Sequence, residues 1–178
     1  MRISVIAVGT RMPAWVREAV EEYCKRLPRE IAPRWCEIPP AKRGKEYSQQ
    51  RACLAEGEQV LKAIPPGDRV IALDVGGRRV NTESLAQKLQ DWQLSANNYS
   101  LLIGGPDGLS EACRARAEWC WSLSDLTLPH PLVRVILAEQ LYRAWTITVN
   151  HPYHRAQTQD FHATKVGRRP TQCNRSST

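Results

Sequence analysis

Short runs of aliphatic and β-branched residues alternate along the chain with longer segments in which apolar residues recur at helical spacing. The runs predict strands at Ile3–Val8, Arg34–Ile38, Arg69–Leu73 and Tyr99–Ile103, with a shorter fifth near Leu123. The amphipathic segments predict helices at Pro13–Arg26, Tyr47–Ala63, Thr82–Leu94 and Ser110–Glu118, and a last helix from Pro131 to about Trp145. Strict alternation of this kind implies an α/β domain whose mainly parallel sheet is covered by helices on both faces. Ligands of such sheets bind beyond the carboxyl ends of the strands. The pattern stops after Ala156, where QTQDFHATKVGRRPTQCNRSST is polar and almost without aliphatic residues. The chain therefore reads as one domain over 1–156 and a polar, basic tail over 157–178 with too little apolar content to pack, expected to be disordered.

Composition narrows this picture only a little. The formal charge of +7 invites a polyanionic partner, but Lys165, Arg168, Arg169 and Arg175 against Asp160 place three of those charges in the tail. Within the domain, basic residues cluster at Lys42, Arg43 and Lys45 and at Arg78 and Arg79, as a phosphate-contacting surface requires and as an ordinary solvated loop also permits. The six cysteines form no CxxC pair and lie mostly in helical or strand-like stretches, which fits reduced thiols and no metal site. No run approaches the ~18 apolar residues of a membrane span, and the N-terminus lacks a signal-peptide pattern, so a cytoplasmic protein without a membrane partner is expected.

LLIGGPDGLS, residues 101–110, runs a strand into Gly104, Gly105 and Gly108 ahead of a helix. Glycine there lets a ligand approach the main chain. The loop is neither a Walker motif, whose lysine is missing, nor GxGxxG, and the first strand is followed by Gly9 alone. Taken by itself GGPDG is ordinary turn chemistry.

The wider sequence decides more. VIAVGTRMPAWV, IPPAKRGK, EGEQVLKAI, ALDVGG, LLIGGPDGLS and SLSDLTLPHPLVRVILAEQLYRAWTITVNHPYHR closely resemble the ribosomal RNA large-subunit methyltransferase H family, the 23S rRNA pseudouridine-N3-methyltransferases of the SPOUT class, through residues 1–156. The resemblance implies an S-adenosylmethionine enzyme with a C-terminal trefoil knot, working as a homodimer on the large subunit or whole ribosome. It also implies a cofactor pocket at Leu73, Gly104, Leu123, Ser124, Asp125, Leu126, Thr127 and Leu128. Glycine and leucine suit a pocket in which main-chain groups hold an adenine between aliphatic walls. Asp125 departs from the small residue expected there; an outward carboxylate is tolerated if the position contributes mainly main chain.

For the chemistry, candidates lie on the last helix and beyond it: His130, Arg134, Glu139, Arg143, Tyr153, His154 and Arg155. His154 is ranked first as proton acceptor, then Glu139, with solvent close behind. Glu139 and Arg143 stand at a spacing that equally suits a plain ion pair on a helix surface. Tyr153, His154 and Arg155 together offer stacking, a group titrating near neutral pH and a phosphate anchor. His130, between two prolines, reads as a turn cap. Lys42, Arg43, Lys45 and Arg134 are expected to contact RNA. The rival readings are a ribosome-binding or assembly factor without essential chemistry and a SPOUT enzyme for another RNA.

Overall fold

The computed structural model describes residues 1–44 and 48–153; Lys45, His154, Arg155 and the 157–178 tail lie outside the described residues. Five strands and five helices alternate: β1 (Ile3–Val8), α1 (Ala14–Cys24), β2 (Arg34–Ile38), α2 (Gln49–Ala63), β3 (Arg69–Arg79), α3 (Thr82–Ser95), β4 (Tyr99–Ile103), α4 (Glu111–Arg116), β5 (Trp119–Ser122) and α5 (His130–Thr148). All strand pairs are parallel, in the order β2-β1-β4-β3-β5. This is the expected α/β architecture.

The aliphatic runs become strands because both sheet faces are covered. Every residue of β1 and β4 is buried. Alternate side chains of the strands feed two clusters. Ile3, Val5, Leu101 and Ile103 join Leu85, Leu89, Leu137 and Leu141 from α3 and α5 on one face. Ile6, Val8 and Leu102 join Val60 and Cys113 from α2 and α4 on the other. Helix starts are set by side-chain caps: Ser48 accepts from Arg51 N, Asn81 from Ser84 N and Ser110 from Cys113 N. Among the described residues, no helix is long and apolar enough to cross a membrane.

Three elements differ from expectation. β3 runs six residues beyond Leu73, with its register against β5 interrupted between Leu73 and Arg78, both of which oppose Trp121. Gly77 permits this bulge, since a Cβ there would lie 2.6 Å from the Cys120 carbonyl carbon. β5 ends at Ser122, before Leu123, where the Ser122 hydroxyl donates to Ser124 O and Leu126 N donates to Ser124 Oγ, turning the chain away. α5 continues past Trp145 to Thr148, where the hydroxyls of Thr146 and Thr148 donate back to the carbonyls of Arg143 and Trp145, both at 2.7 Å.

Candidate functional site

Beyond the carboxyl ends of β3, β4 and β5 the chain encloses a cavity of about 690 Å³. Its walls are β3 from Leu73 into the bulge, the glycine loop after β4, the 122–129 segment at and after the end of β5 and the first turn of α5. Of the eight residues expected around a cofactor, seven line it: Leu73, Gly104, Leu123, Ser124, Leu126, Thr127 and Leu128. Asp125 does not. Its carboxylate is exposed and pairs with Arg79 at 2.5 Å, so the bulged end of β3 fastens the 123–128 loop from outside, and Asp74 is the carboxylate that lines the cavity.

The glycine loop is bare chiefly because it folds on itself. Gly108 N donates to Gly105 O at 3.0 Å, and Gly108 has φ +79, in the left-handed region. A Cβ on Gly104 would come within 2.6 Å of Gly108 O and 2.7 Å of Leu109 N. The turn and the ligand wall are the same object: the closure that excludes a side chain at Gly104 also leaves its main chain facing the cavity.

A second cavity of about 510 Å³ opens at the carboxyl end of β1 and shares Pro106 and His130 with the first. Its rim includes the segment around Lys42 and Arg43. Arg43 is not a free cation: it pairs with Glu56 and Asp107, each at 2.9 Å, and Ala41 N also donates to Glu56 Oε1 at 2.9 Å. Burial of Glu56 at 3 % exposure makes it the anchor of this loop, and its partners raise the Arg43 pKa. Lys42 is exposed.

Arg134 corrects an expectation. It is 3 % exposed, too deeply buried to meet an RNA backbone; Nη1 donates to Glu37 at 2.6 Å and Nη2 to the carbonyl oxygens of Gly9 and Val8 at 2.6 and 3.3 Å. It ties α5 to the ends of β1 and β2.

Glu139, Arg143 and Tyr153 form one cluster, separate from both cavities. Arg143 holds Glu139 at 2.6 Å and sits 5.0 Å from the Tyr153 ring centroid; the Tyr153 hydroxyl donates to Glu139 at 3.3 Å. Tyr153 also packs edge-on against Tyr142 at 4.7 Å. Burial, then the Glu139 charge, pushes the Tyr153 pKa up to about 12, so its hydroxyl stays a donor. Gln140 Nε2 also donates to the other Glu139 oxygen at 2.7 Å, so both carboxylate oxygens have partners within the chain.

Comparison with known proteins places this geometry. The profile of a family described as predicted SPOUT methyltransferase matches residues 1–154. The chain belongs to the SPOUT methyltransferase family. A curated "Ribosomal RNA large subunit methyltransferase H" from Saccharophagus degradans is 59% identical over 155 residues, covering 87% of this chain and 100% of that protein. A second of the same name from a Marinomonas species is 55% identical over 155 residues, with the same coverage. This SPOUT chain is thus also a member of the methyltransferase H group. A solved structure described as a probable methyltransferase from Bordetella pertussis Tohama I shares the fold, with a TM-score of 0.50, 15% identity and coverage of 80% of this chain and 95% of that one.

Within this SPOUT domain, sequence reasoning missed Arg79 as the partner of Asp125 and Gly9 and Met12 in the second cavity; His130, named as a candidate with a turn cap as its plainer role, lies at the junction of the two cavities. The lone glycine after β1 was the available signal: Gly9 has φ +116, a conformation that a side chain rarely adopts.

Proposed function

We propose that the chain is an S-adenosylmethionine-dependent methyltransferase that methylates N3 of a pseudouridine in 23S ribosomal RNA, within the large subunit or the assembled ribosome. The observation that carries this reading is the cavity at the carboxyl ends of β3, β4 and β5, formed by the residues that the family resemblance assigns to the cofactor. Its volume lies within the range of small-molecule sites, roughly 300–1,000 Å³. Its walls suit the ligand: aliphatic side chains for an adenine ring and main-chain groups of 104–105 and 123–128 for its polar edge. Bound S-adenosylmethionine supplies an electrophilic methyl group, and its sulfur departs with the bonding electron pair. The protein's own work is then to seat the cofactor, align N3 with the methyl carbon and stabilise charge on the base.

The reading includes a trefoil knot, with α5 threaded through a loop of the preceding chain, and a homodimer. Trp15 on α1, Leu132 on α5 and Val149 just beyond it are apolar yet 50%, 38% and 49% exposed, which supports pairing along these helices. In such a dimer, the Glu139, Arg143 and Tyr153 cluster of one protomer would complete the other's site, together with His154 and Arg155; within a single chain the cluster lines neither cavity. Lys42, with Lys45, would widen the RNA footprint.

Transfer of labelled methyl from S-adenosylmethionine to free 23S rRNA, large subunits and whole ribosomes, followed by mapping of the modified base, tests the reading. Label at a pseudouridine N3 is expected. No transfer to any of the three, or label confined to another base, would overturn it.

A further inference from the structure

His130 opens α5 at the place where the two cavities meet. Its Nδ1 is buried and has no hydrogen-bond partner. Gly9 is packed against the ring: a Cβ there would lie 3.3 Å from His130 Cε1 and 3.0 Å from Met12 Cε. One turn further along α5, Arg134 holds the Val8 and Gly9 carbonyls, so the wall that presses on the ring is fixed to the helix that carries it. A buried N–H without an acceptor is rarer and less tolerable than a buried lone pair. The sealed Nδ1 is therefore the unprotonated nitrogen, the neutral ring carries its proton on Nε2, and Nε2–H is the donor left for a ligand. Burial, and then the Arg134 charge, lowers the His130 pKa, which keeps the ring neutral.

The second cavity is shaped for a base. Its floor is the end of β1 at Val8 and Gly9, Met12 and Pro106 give apolar faces, and Arg11 is exposed at its rim. The Arg43 wall is preset by Glu56 and Asp107 rather than waiting for a ligand.

We propose that this second cavity receives the target pyrimidine base, and that His130 is a catalytic residue whose Nε2–H donates to a base carbonyl flanking N3. The assignment rests on the methyltransferase reading above. When N3 gives its proton to water, the negative charge spreads onto the two flanking carbonyl oxygens. A fixed neutral donor at one of them stabilises that charge as it develops, while the nitrogen's electron pair forms the new bond to the methyl carbon. His130 neither takes the N3 proton nor needs to be charged.

The test uses His130→Ala and His130→Gln in the full chain, the amide of glutamine placing an N–H near the position of Nε2. Three quantities are measured: S-adenosylmethionine affinity by calorimetry, single-turnover methyl transfer to ribosomes purified from cells lacking this activity, and equilibrium binding of those ribosomes. Cofactor affinity within twofold of wild type is expected in both variants. Transfer should fall about a hundredfold in His130→Ala, return at least tenfold in His130→Gln, and ribosome binding should weaken only a few-fold. Met12→Trp, which fills the cavity away from the reacting groups, should block transfer and spare cofactor binding. Transfer within threefold of wild type in His130→Ala overturns the proposal. So does His130→Gln as inactive as His130→Ala, which would mark a base or a structural role. Wild-type protein that binds no S-adenosylmethionine would instead defeat the methyltransferase reading on which the assignment rests.

Discussion

The two ends of α5 make different kinds of site from one helix. At its start, His130 and Arg134 reach residues far away along the chain, Val8, Gly9 and Glu37, the last 97 positions from Arg134, and Arg134 is all but inaccessible at 3 % exposure. Toward its end, Glu139 meets Arg143 one turn on and Tyr153 just beyond the helix, with the Arg143 side chain 32% exposed. The first end is locked into the sheet and helps enclose two cavities. The second is a small, locally built cluster that stands ready at the surface. One chain thus carries an enclosed pocket at one end of this helix and a partly exposed cluster at the other, the contrast on which the proposed composite site rests.

The largest expected effect falls on the locked end. Gly104→Ala places a methyl group within 2.6 Å of Gly108 O, against backbone that closes the loop and has nowhere to go. Overpacking of this kind costs about 1–3 kcal/mol of stability, and because the displaced loop is the cavity wall, S-adenosylmethionine affinity should fall more than a hundredfold. Calorimetry and thermal unfolding check both numbers. A folded Gly104→Ala protein that binds the cofactor normally would separate the turn from the ligand wall and remove the basis of the comparison.

Arg134→Met comes next. It leaves the buried Val8 and Gly9 carbonyls without their side-chain donor and the partly exposed Glu37 without its partner, and should cost about 2 kcal/mol in chemical denaturation. Arg143→Ala, at the open end, should cost less, about 1 kcal/mol, since Glu139 keeps Gln140 and Tyr153 as donors. A similar loss in both variants would show that the two ends are not built differently.

How much of this contrast could be read from the sequence depends on distance along the chain. Strand positions were legible because runs such as Val5–Ala7 and Leu101–Ile103 are buried on both faces, and helix starts because Ser48, Asn81 and Ser110 cap their own next turn. The Glu139 and Arg143 pair was legible for the same local reason. The extension of β3 was not, because it depends on Gly77 meeting the Cys120 main chain, nor was the outward turn of Asp125, which depends on Arg79. Arg134 was misread despite a signal. It shares a helical stripe with Leu137 and Ala138, both fully buried, so its place on the inner face was visible, but a basic residue invites an RNA reading unless its acceptors are known. The cofactor positions came from family resemblance, and spacing alone would have left GGPDG a turn.

A smaller effect concerns the open end. If the Glu139, Arg143 and Tyr153 cluster acts across a dimer, Arg143→Ala should lose about thirtyfold in methyl transfer with cofactor affinity unchanged, a difference of ~2 kcal/mol. Mixing it with Gly104→Ala subunits should restore part of the activity, because half of the mixed dimers' sites would combine an intact cavity with an intact cluster. Absence of any recovery, with mixed dimers shown to form, would place the cluster in its own protomer's chemistry or in none.

The smallest effect is a pH slope, and it returns to the start of α5. Burial and the Arg134 charge lower the pKa of His130 in the folded chain from its usual value near 6.5. Of the groups around it, Arg134 is fixed in charge, and Arg43 across the second cavity is neutralised by Glu56 and Asp107, so neither titrates in the window concerned. Between the unfolded pKa and the lower folded one, the unfolded chain binds more protons at this position than the folded chain does. Stability must then rise with pH through that interval, and the contribution of His130 is present above about pH 6.5 and lost progressively as pH falls below it. His130→Gln cannot titrate, so its unfolding free energy should change less between pH 7 and pH 5 than that of the wild type, under matched salt. Identical slopes for the two proteins would mean that the ring is no harder to protonate in the fold than in solution, and the sealed, neutral imidazole at the junction of the cavities would be the wrong description of this residue.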